Sequence, residues 1–376
     1  MKNNILFFKE SLGGGGAERV LVTILKHLDY EKYSVTLLTL VDGGVLKEEI
    51  MGIPIRYMTV IRSSDKPWSK LLYKIKYKLI YKWLPIKIVN RLIIPQKHID
   101  VYVAFTEGFA TKLMSYSPQV KIAWVHADLK KDSWTIDKHI YKNLEEEKQV
   151  YSRYNEVVCV SRSVENVMMK HYELNNTTTI YNPIDVEDIL QKATISTVLN
   201  VSTSFNVVSV GRLVPQKGYD LLIPMIGRLR RQGFDVQLYL IGKGIEHKHL
   251  EGLIKEDNLQ EFVHLVGFLS NPYPLMSQMD LFVCSSIAEG YSLVIAEAMV
   301  LGLPIISMDC AGPNELLGGG EFGLLCDDYN ALETAIEKVI SDRNYYLELR
   351  KKASKRQYFF NVSKTIEQIE KLLDYL

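Results

Sequence analysis

The sequence predicts an α/β protein made of two doubly wound parallel-sheet domains, and three observations predict it. Short apolar runs alternate with amphipathic helical stretches, that alternation happens twice, and 376 residues are too many for one core but comfortable for two. A content of 47% hydrophobic and 24% charged residues is that of an ordinary globular chain, so both cores can be filled.

The first series of strands reads at Asn4–Phe8, Ser34–Val41, Pro54–Val60, Asp100–Phe105, Lys121–Val125 and Glu156–Val160. The second reads at Asn206–Gly211, Asp235–Gly242, Phe262–Gly267, Asp280–Cys284, Leu303–Ser307 and Phe322–Cys326, with amphipathic segments such as Tyr219–Gln232 between strands. Between the two series lies Ile180–Asp185, where Pro183 disfavours helix in the residue before it and an Asx side chain favours a turn. The hinge is placed there, giving domains over 1–182 and 183–361, with the polar stretch Thr194–Ser204 leading into the second series. The closing segment, 362–376, puts Ile366, Ile369, Leu372, Leu373 and Leu376 on one helical face.

Several classes fall away. No apolar run approaches the roughly 18 residues a membrane span needs, and Met1–Lys9 holds too short an apolar segment for a signal peptide, so a cytoplasmic location is expected. Cys159, Cys284, Cys310 and Cys326 lack metal-type spacing, and two lie in apolar strand-like runs. Reduced core thiols are expected, with no disulfide and no structural zinc. Asp327-Asp328 reads as a turn rather than a metal site.

The chemistry concentrates in Ser286-Ile-Ala-Glu289-Gly290-Tyr291-Ser292-Leu293-Val294-Ile-Ala-Glu297. The strand Asp280–Cys284 runs into a turn, and Ser292 is placed as the N-cap of a helix from Leu293 to Val300. The free N–H groups and positive dipole end of that first turn suit an anion. Glu289 lies before the helix and Glu297 inside it, so the carboxylates reach different places, and each is an acceptor suited to sugar or ribose hydroxyls. At the end of another strand, Gly211 leads into Arg212 and Lys217, two cations where a diphosphate's charge could sit. The run Gly13–Gly16 follows the first strand and precedes a helix; backbone N–H groups without Cβ atoms can approach a ligand closely, although the same run also fits a plain flexible turn.

Glu289 and Glu297 with the apolar Leu301–Ser307 behind them, Val210-Gly211-Arg212-Leu-Val-Pro-Gln-Lys217-Gly218, and Gly13-Gly-Gly15-Gly16-Ala-Glu-Arg19 resemble the motifs of retaining family 4 glycosyltransferases (glycosyl transferases group 1), and from the glycine run to the glutamate pair they follow the family's order along the chain. The resemblance implies the GT-B fold, two Rossmann-like domains facing a central cleft, with the last helix crossing back to the first domain. It implies a nucleotide-diphosphate sugar as donor, with UDP favoured, no metal and no cofactor. His126, Arg212, Lys217 and Glu289 would carry the reaction, the histidine lying near the transferred sugar. Donor contacts would come from Gly15, Gly16, Gly211, Gly267, Phe268, Gly290, Tyr291, Ser292, Leu293, Val294 and Glu297. The base would rest near Val266-Gly267-Phe268, which is equally readable as a simple strand end. Glu107 and Gly108, beyond the strand Asp100–Phe105, are placed on the rim facing the acceptor. Nothing in the sequence identifies an enzyme nucleophile, so same-face substitution is the expected route.

The acceptor is suggested by a charge asymmetry. From Arg62 to Lys97 stand ten basic residues and one acid, a local charge of +9 in a chain whose total is +1. Trp68, Leu72, Ile75, Leu79 and Trp83 recur among them at helical spacing, a pattern suited to an anionic membrane interface on the inner membrane face. A helix with its apolar side on the domain core is the alternative. Nucleic acid is disfavoured because the remainder of the chain is acidic. A lipid-linked saccharide in envelope polysaccharide or glycan assembly is the expected acceptor. The competing functions are a nucleotide-sugar epimerase or a glycan phosphorylase of the same fold, and a non-catalytic nucleotide-sugar-binding partner of a transferase.

Overall fold

In a computed structural model of the chain, residues 2–62, 67–195 and 201–376 are described. Residues 63–66 of the basic stretch and 196–200 of the polar stretch lie outside them. The chain divides into two compact units, Met1–Pro183 together with Val362–Leu376, and Ile184–Asn361.

The first unit holds, among the described residues, a seven-stranded parallel sheet. Its strands are β1 (Asn3–Lys9), β2 (Tyr33–Val41), β3 (Arg56–Ile61), β4 (Val101–Ala104), β5 (Val120–Val125), β6 (Glu156–Cys159) and β7 (Thr177–Thr179), in the order β3-β2-β1-β4-β5-β6-β7. The centre is set by hydrophobicity: Ile5, Leu6, Phe7 and Phe8 of β1 are entirely buried, as expected of a parallel strand covered on both faces. The edge strand β7 is three half-buried threonines, and a search for apolar runs passes over it.

The second unit has, among the described residues, a six-stranded parallel sheet of β8 (Phe205–Val210), β9 (Val236–Ile241), β10 (Val263–Gly267), β11 (Leu281–Cys284), β12 (Ile305–Met308) and β13 (Leu324–Cys326), ordered β10-β9-β8-β11-β12-β13. The period-two alternation of a strand sorts neighbours to opposite layers. Val207 packs with Leu222 and Ile226 of the Tyr219–Arg231 helix, whereas Val208 packs in the layer of Ile295 and Met299 from the Leu293–Val300 helix.

Both sheets reverse their winding at one place. The chain builds outward from β1 to β3 and then returns to lay β4 on the other side of β1; β8 and β11 repeat the manoeuvre. Connections on either side of such a switch point leave the sheet on opposite faces, so a crevice opens beyond the carboxyl ends of the two central strands. The loops there are Glu10–Gly15 and Phe105–Gly108 in the first unit, and Gly211–Gly218 and Ser285–Ser292 in the second.

The helix Val362–Tyr375 belongs to the first unit and packs against the helix Gly16–His27. Ile366, Ile369 and Leu373 are buried. Polar contacts fix its register: Glu370 Oε1 accepts from the Asp29 N–H at 2.9 Å, and Tyr33 Oη donates to Asp374 Oδ1 at 2.6 Å. Ile369→Ala removes a fully buried side chain and should lower the stability of the chain by about 2–5 kcal/mol, read as a fall in the urea midpoint; an unchanged midpoint would mean that the helix is not part of the folded first unit.

Candidate active site

In the second unit, Lys217 Nζ donates to Glu289 Oε1, a contact between residues 72 apart in sequence. Ser286 Oγ donates to the same oxygen at 2.8 Å. Two loops make this possible, and hydrogen bonds to their backbone carbonyls lace them together: Gln216 Nε2 donates to Ala288 O at 2.9 Å, the Ile287 N–H donates to Gln216 O at 2.9 Å, and Ser285 Oγ donates to Lys217 O at 2.7 Å. Gly218 is the residue that allows the approach. Its φ of +64° lies in the left-handed region, and a Cβ there would stand 2.4 Å from Ser285 O. Burial alone would lower the Lys217 pKa, but the Glu289 carboxylate more than offsets it and holds the ammonium above the ordinary lysine range. The result is a fixed cation and a fixed anion, side by side at the switch point.

Arg212 is exposed and makes no ion pair among the described residues. Glu297 is buried within the Leu293–Val300 helix, and its Oε1 accepts from Tyr273 Oη at 2.9 Å. Ser292 occupies the N-cap position, yet its side chain makes no capping bond; Oγ is buried and has no hydrogen-bond partner among the described residues. Ser292 thus takes the expected N-cap position, without a side-chain capping bond. A ligand oxygen above this turn would meet both an unpaired hydroxyl and the free N–H groups of Leu293 and Val294, which are half-buried. Gly211 continues β8, and its N–H donates to Ile241 O at 3.0 Å. Gly267 O accepts from the Gly242 N–H at 2.9 Å, and Lys243 lies 5.9 Å over the half-buried Phe268 ring. Gly290 and Tyr291 fill the turn between Glu289 and Ser292, where the Gly312 N–H donates to Glu289 O at 3.0 Å.

In the first unit the corresponding crevice centres on Lys9, at the end of β1, a residue the sequence reading passed over. It is 6% exposed, 3.3 Å from Glu18 Oε1 and 3.6 Å from Glu10 Oε2, and donates to Thr106 Oγ1 at 3.3 Å. Burial lowers its pKa, and Glu10, Glu18 and Glu107 together raise it further, so it is charged. Glu10 is held by the Ala110 N–H at 3.2 Å and by Thr106 Oγ1 at 3.0 Å. Gly15 caps the Gly16–His27 helix and packs against the Glu18 carboxylate.

Glu107 and Gly108 differ from the open rim expected of them. Glu107 is buried and accepts from the His126 N–H at 3.1 Å, and Trp134 and Ile140 crowd Gly108. An aromatic beyond the strand covers what a linear reading leaves open. Burial pushes the Glu107 pKa up.

The stretch after β3 also departs from its alternative reading. In the helix Pro67–Lys78 and the π-type turn Leu79–Trp83, the tyrosines face the domain: Tyr73, Tyr77, Tyr81 and Phe109 stack in sequence with centroids 6.2, 5.1 and 4.4 Å apart. Trp68 and Trp83 are 79% and 64% exposed, and Leu71, Leu72 and Ile75 are exposed as well. Leu79 is half-buried. The apolar side of this helix therefore looks outward, among lysines.

His126 follows β5, and its Nε2 is buried without a hydrogen-bond partner among the described residues. Burial, assisted by the Lys9 ammonium, pushes its pKa down to about 3. The ring is thus a neutral donor or acceptor at physiological pH. Two outcomes are expected by NMR and pH-dependent unfolding: the His126 ring resonances stay flat between pH 5 and 8, and its contribution to stability, full above its unfolded value of 6.5, is lost as pH falls from 6.5 toward 3. A titration near 6.5 in the folded chain would contradict the geometry.

Against known proteins, the model of Glycosyl transferases group 1 matches residues 191–357, and that of Glycosyltransferase Family 4 matches residues 14–188. The N-acetylgalactosamine-N,N'-diacetylbacillosaminyl-diphospho-undecaprenol 4-alpha-N-acetylgalactosaminyltransferase of Campylobacter jejuni is 29% identical over 97% of this chain and 98% of its own. Among solved structures, Anabaena Alr3699/HepE in complex with UDP and glucose superposes with a TM-score of 0.76 at 23% identity, covering 99% of both chains. The sucrose-phosphate synthase of Thermosynechococcus elongatus does so with 0.77 at 19% identity, over 100% of this chain and 99% of its own. These likenesses show the fold, and the family models cover both units in order: the chain is a glycosyltransferase of the GT-B fold and belongs to glycosyltransferase family 4, glycosyl transferases group 1.

Proposed function

We propose that this chain transfers a sugar, with retention of anomeric configuration and without a metal ion, from a UDP-sugar to a lipid-linked saccharide at the inner face of the cytoplasmic membrane. The observation that carries the reading is the juxtaposition of Lys217 and Glu289 at the β8/β11 switch point. In it, the donor diphosphate takes up the charge of Lys217 and Arg212 and the N–H groups at Leu293 and Val294, while Glu289 accepts from hydroxyls of the sugar and Glu297 from the ribose. The bond from the anomeric carbon to the leaving phosphate oxygen breaks as the acceptor oxygen bonds to the same face of that carbon, and the acceptor's proton passes to the departing phosphate oxygen. His126, neutral and with a free ring nitrogen, serves as a hydrogen-bonding contact to the sugar rather than as a base. The Anabaena protein, solved with UDP and glucose, supports UDP as the nucleotide. The Campylobacter relative, whose named acceptor is a diphospho-undecaprenol saccharide, supports a lipid-linked acceptor.

The outward apolar and cationic helix supports the membrane part of the reading. Interfacial helices bury tryptophan and leucine among headgroups while lysines pair with anionic lipid. Here Trp68, Leu71, Leu72, Ile75 and Trp83 are turned away from the domain, and the tyrosine ladder holds the helix from behind.

Two measurements test these parts. Lys217→Ala should lower kcat/KM for the UDP-sugar by about 10²–10³-fold, as loss of one fixed transition-state charge does, while EDTA leaves the wild-type rate unchanged. Retained activity in the variant, or EDTA-sensitive turnover rescued by Mn²⁺, would overturn the assignment. Trp68→Ser with Trp83→Ser should weaken sedimentation with phosphatidylglycerol vesicles without altering UDP binding; equal sedimentation would remove the membrane face from the reading.

A further inference from the structure

The carboxyl ends of β2 and β3 carry another pocket in the first unit, about 290 Å³ in volume and lined by Asp42, Lys47, Tyr57, Thr59 and Arg62. None of these residues belongs to the site already described. Its charges do not cancel. Lys47 Nζ lies 2.7 Å from Asp42 Oδ1, and Tyr57 Oη donates to the same oxygen at 3.4 Å, so that pair is internally balanced. Arg62 is exposed and has no carboxylate partner among the described residues. Thr59 Oγ1 is buried with no hydrogen-bond partner among them. The lining therefore carries a surplus positive charge, an unused guanidinium fork and an unsatisfied hydroxyl, and a buried hydroxyl left unpaired is costly.

A neutral sugar would satisfy the hydroxyl but leave the guanidinium idle. A phosphate ester or diphosphate satisfies both, since its oxygens accept from the Arg62 fork, from the N–H groups of Lys47 not used by Asp42, and from Thr59.

Position narrows the source of that anion. On one side the loop that carries Asp42 and Lys47 lies on the segment leading into the glycine run: the Leu46 N–H donates to Leu12 O at 3.2 Å. Gly44, with φ +110°, comes so near that a Cβ would stand 2.1 Å from Leu12 O. On the other side Arg62 opens the basic stretch that leads to the outward apolar helix. The pocket thus borders both the segment that leads into the glycine run and, along the chain, the basic stretch that leads to the outward helix.

We propose that the Asp42–Arg62 pocket binds the phosphate or diphosphate that joins the acceptor saccharide to its lipid. The assignment rests on the reading of a lipid-linked acceptor. Titration calorimetry on the full chain, with farnesyl diphosphate as the probe and farnesol as the uncharged control, tests it. Wild type should bind the diphosphate and prefer it over farnesol, Arg62→Gln should weaken that binding about tenfold or more, and Thr59→Val should weaken it without lowering Tm. UDP affinity, governed by the second unit, should stay constant in both variants and shows that they are folded. Equal diphosphate binding by wild type and Arg62→Gln overturns the proposal. So does loss of phosphatidylglycerol-vesicle binding in Arg62→Gln with diphosphate binding intact, which would assign the pocket to membrane headgroups. If the diphosphate binds as expected but wild type transfers no label from donor to a membrane lipid extract, the lipid-linked acceptor falls, and the name of the pocket's ligand falls with it.

Discussion

The second unit is organised around one ion pair. Lys217 and Glu289 arrive from loops after β8 and β11, strands adjacent in space but separated by two intervening strands in sequence, and each side chain is largely withdrawn from solvent. Desolvating two such groups costs about as much as their attraction returns, so the pair is a weak source of stability; removing one partner, in contrast, strands a buried charge at a cost of roughly 3–5 kcal/mol. Its value lies in preparation. Each ion is already stripped of water and already aimed, so a ligand that brings an anion to one and hydroxyls to the other replaces an existing interaction rather than organising a new one. The hydrogen bonds from the Gln216 side chain to Ala288 O and from the Ile287 N–H to Gln216 O, with the close pass at Gly218, keep the loops from drifting apart.

The first unit solves the same topological problem with different chemistry. At its switch point a buried lysine is surrounded by Glu10, Glu18 and Glu107, so the balance is negative rather than even. Glu107 is spent on the backbone N–H of His126 and so holds the strand end that carries the imidazole. Burial, with the Lys9 ammonium assisting, keeps that ring neutral. One crevice is thus suited to holding phosphate and the other to holding hydroxyls.

Most of the architecture was legible because parallel strands buried on both faces write themselves as continuous apolar runs. Each of the twelve runs read from the sequence coincides with a strand to within two residues, and the one further strand among the described residues, Thr177–Thr179, escaped because its three half-buried threonines form no apolar run. The Lys217–Glu289 half-site was legible for a related reason: motif residues sit next to strand ends, and strand ends meet at the switch point. What stayed hidden depends on packing between segments far apart in sequence. Lys9 reads as the polar end of a strand until three carboxylates are seen around it. Glu107 and Gly108 read as rim until the burial of the carboxylate and the crowding of Gly108 by Trp134 are seen. The direction of the Pro67–Trp83 segment was undecidable from periodicity because tyrosine and leucine stripes both repeat at helical spacing, and only the stack onto Phe109 shows which stripe turns inward.

The place of the Val362–Tyr375 helix has a consequence for how the chain is made. Its partners, the Gly16–His27 helix and Tyr33, leave the ribosome early, whereas Ile366, Ile369 and Leu373 follow only after the whole second unit has been synthesised. During that interval the nascent amino-terminal unit lacks the three apolar side chains that this helix adds to it. The second unit is continuous in sequence, and the lobe begun earliest is the last to receive all of its parts.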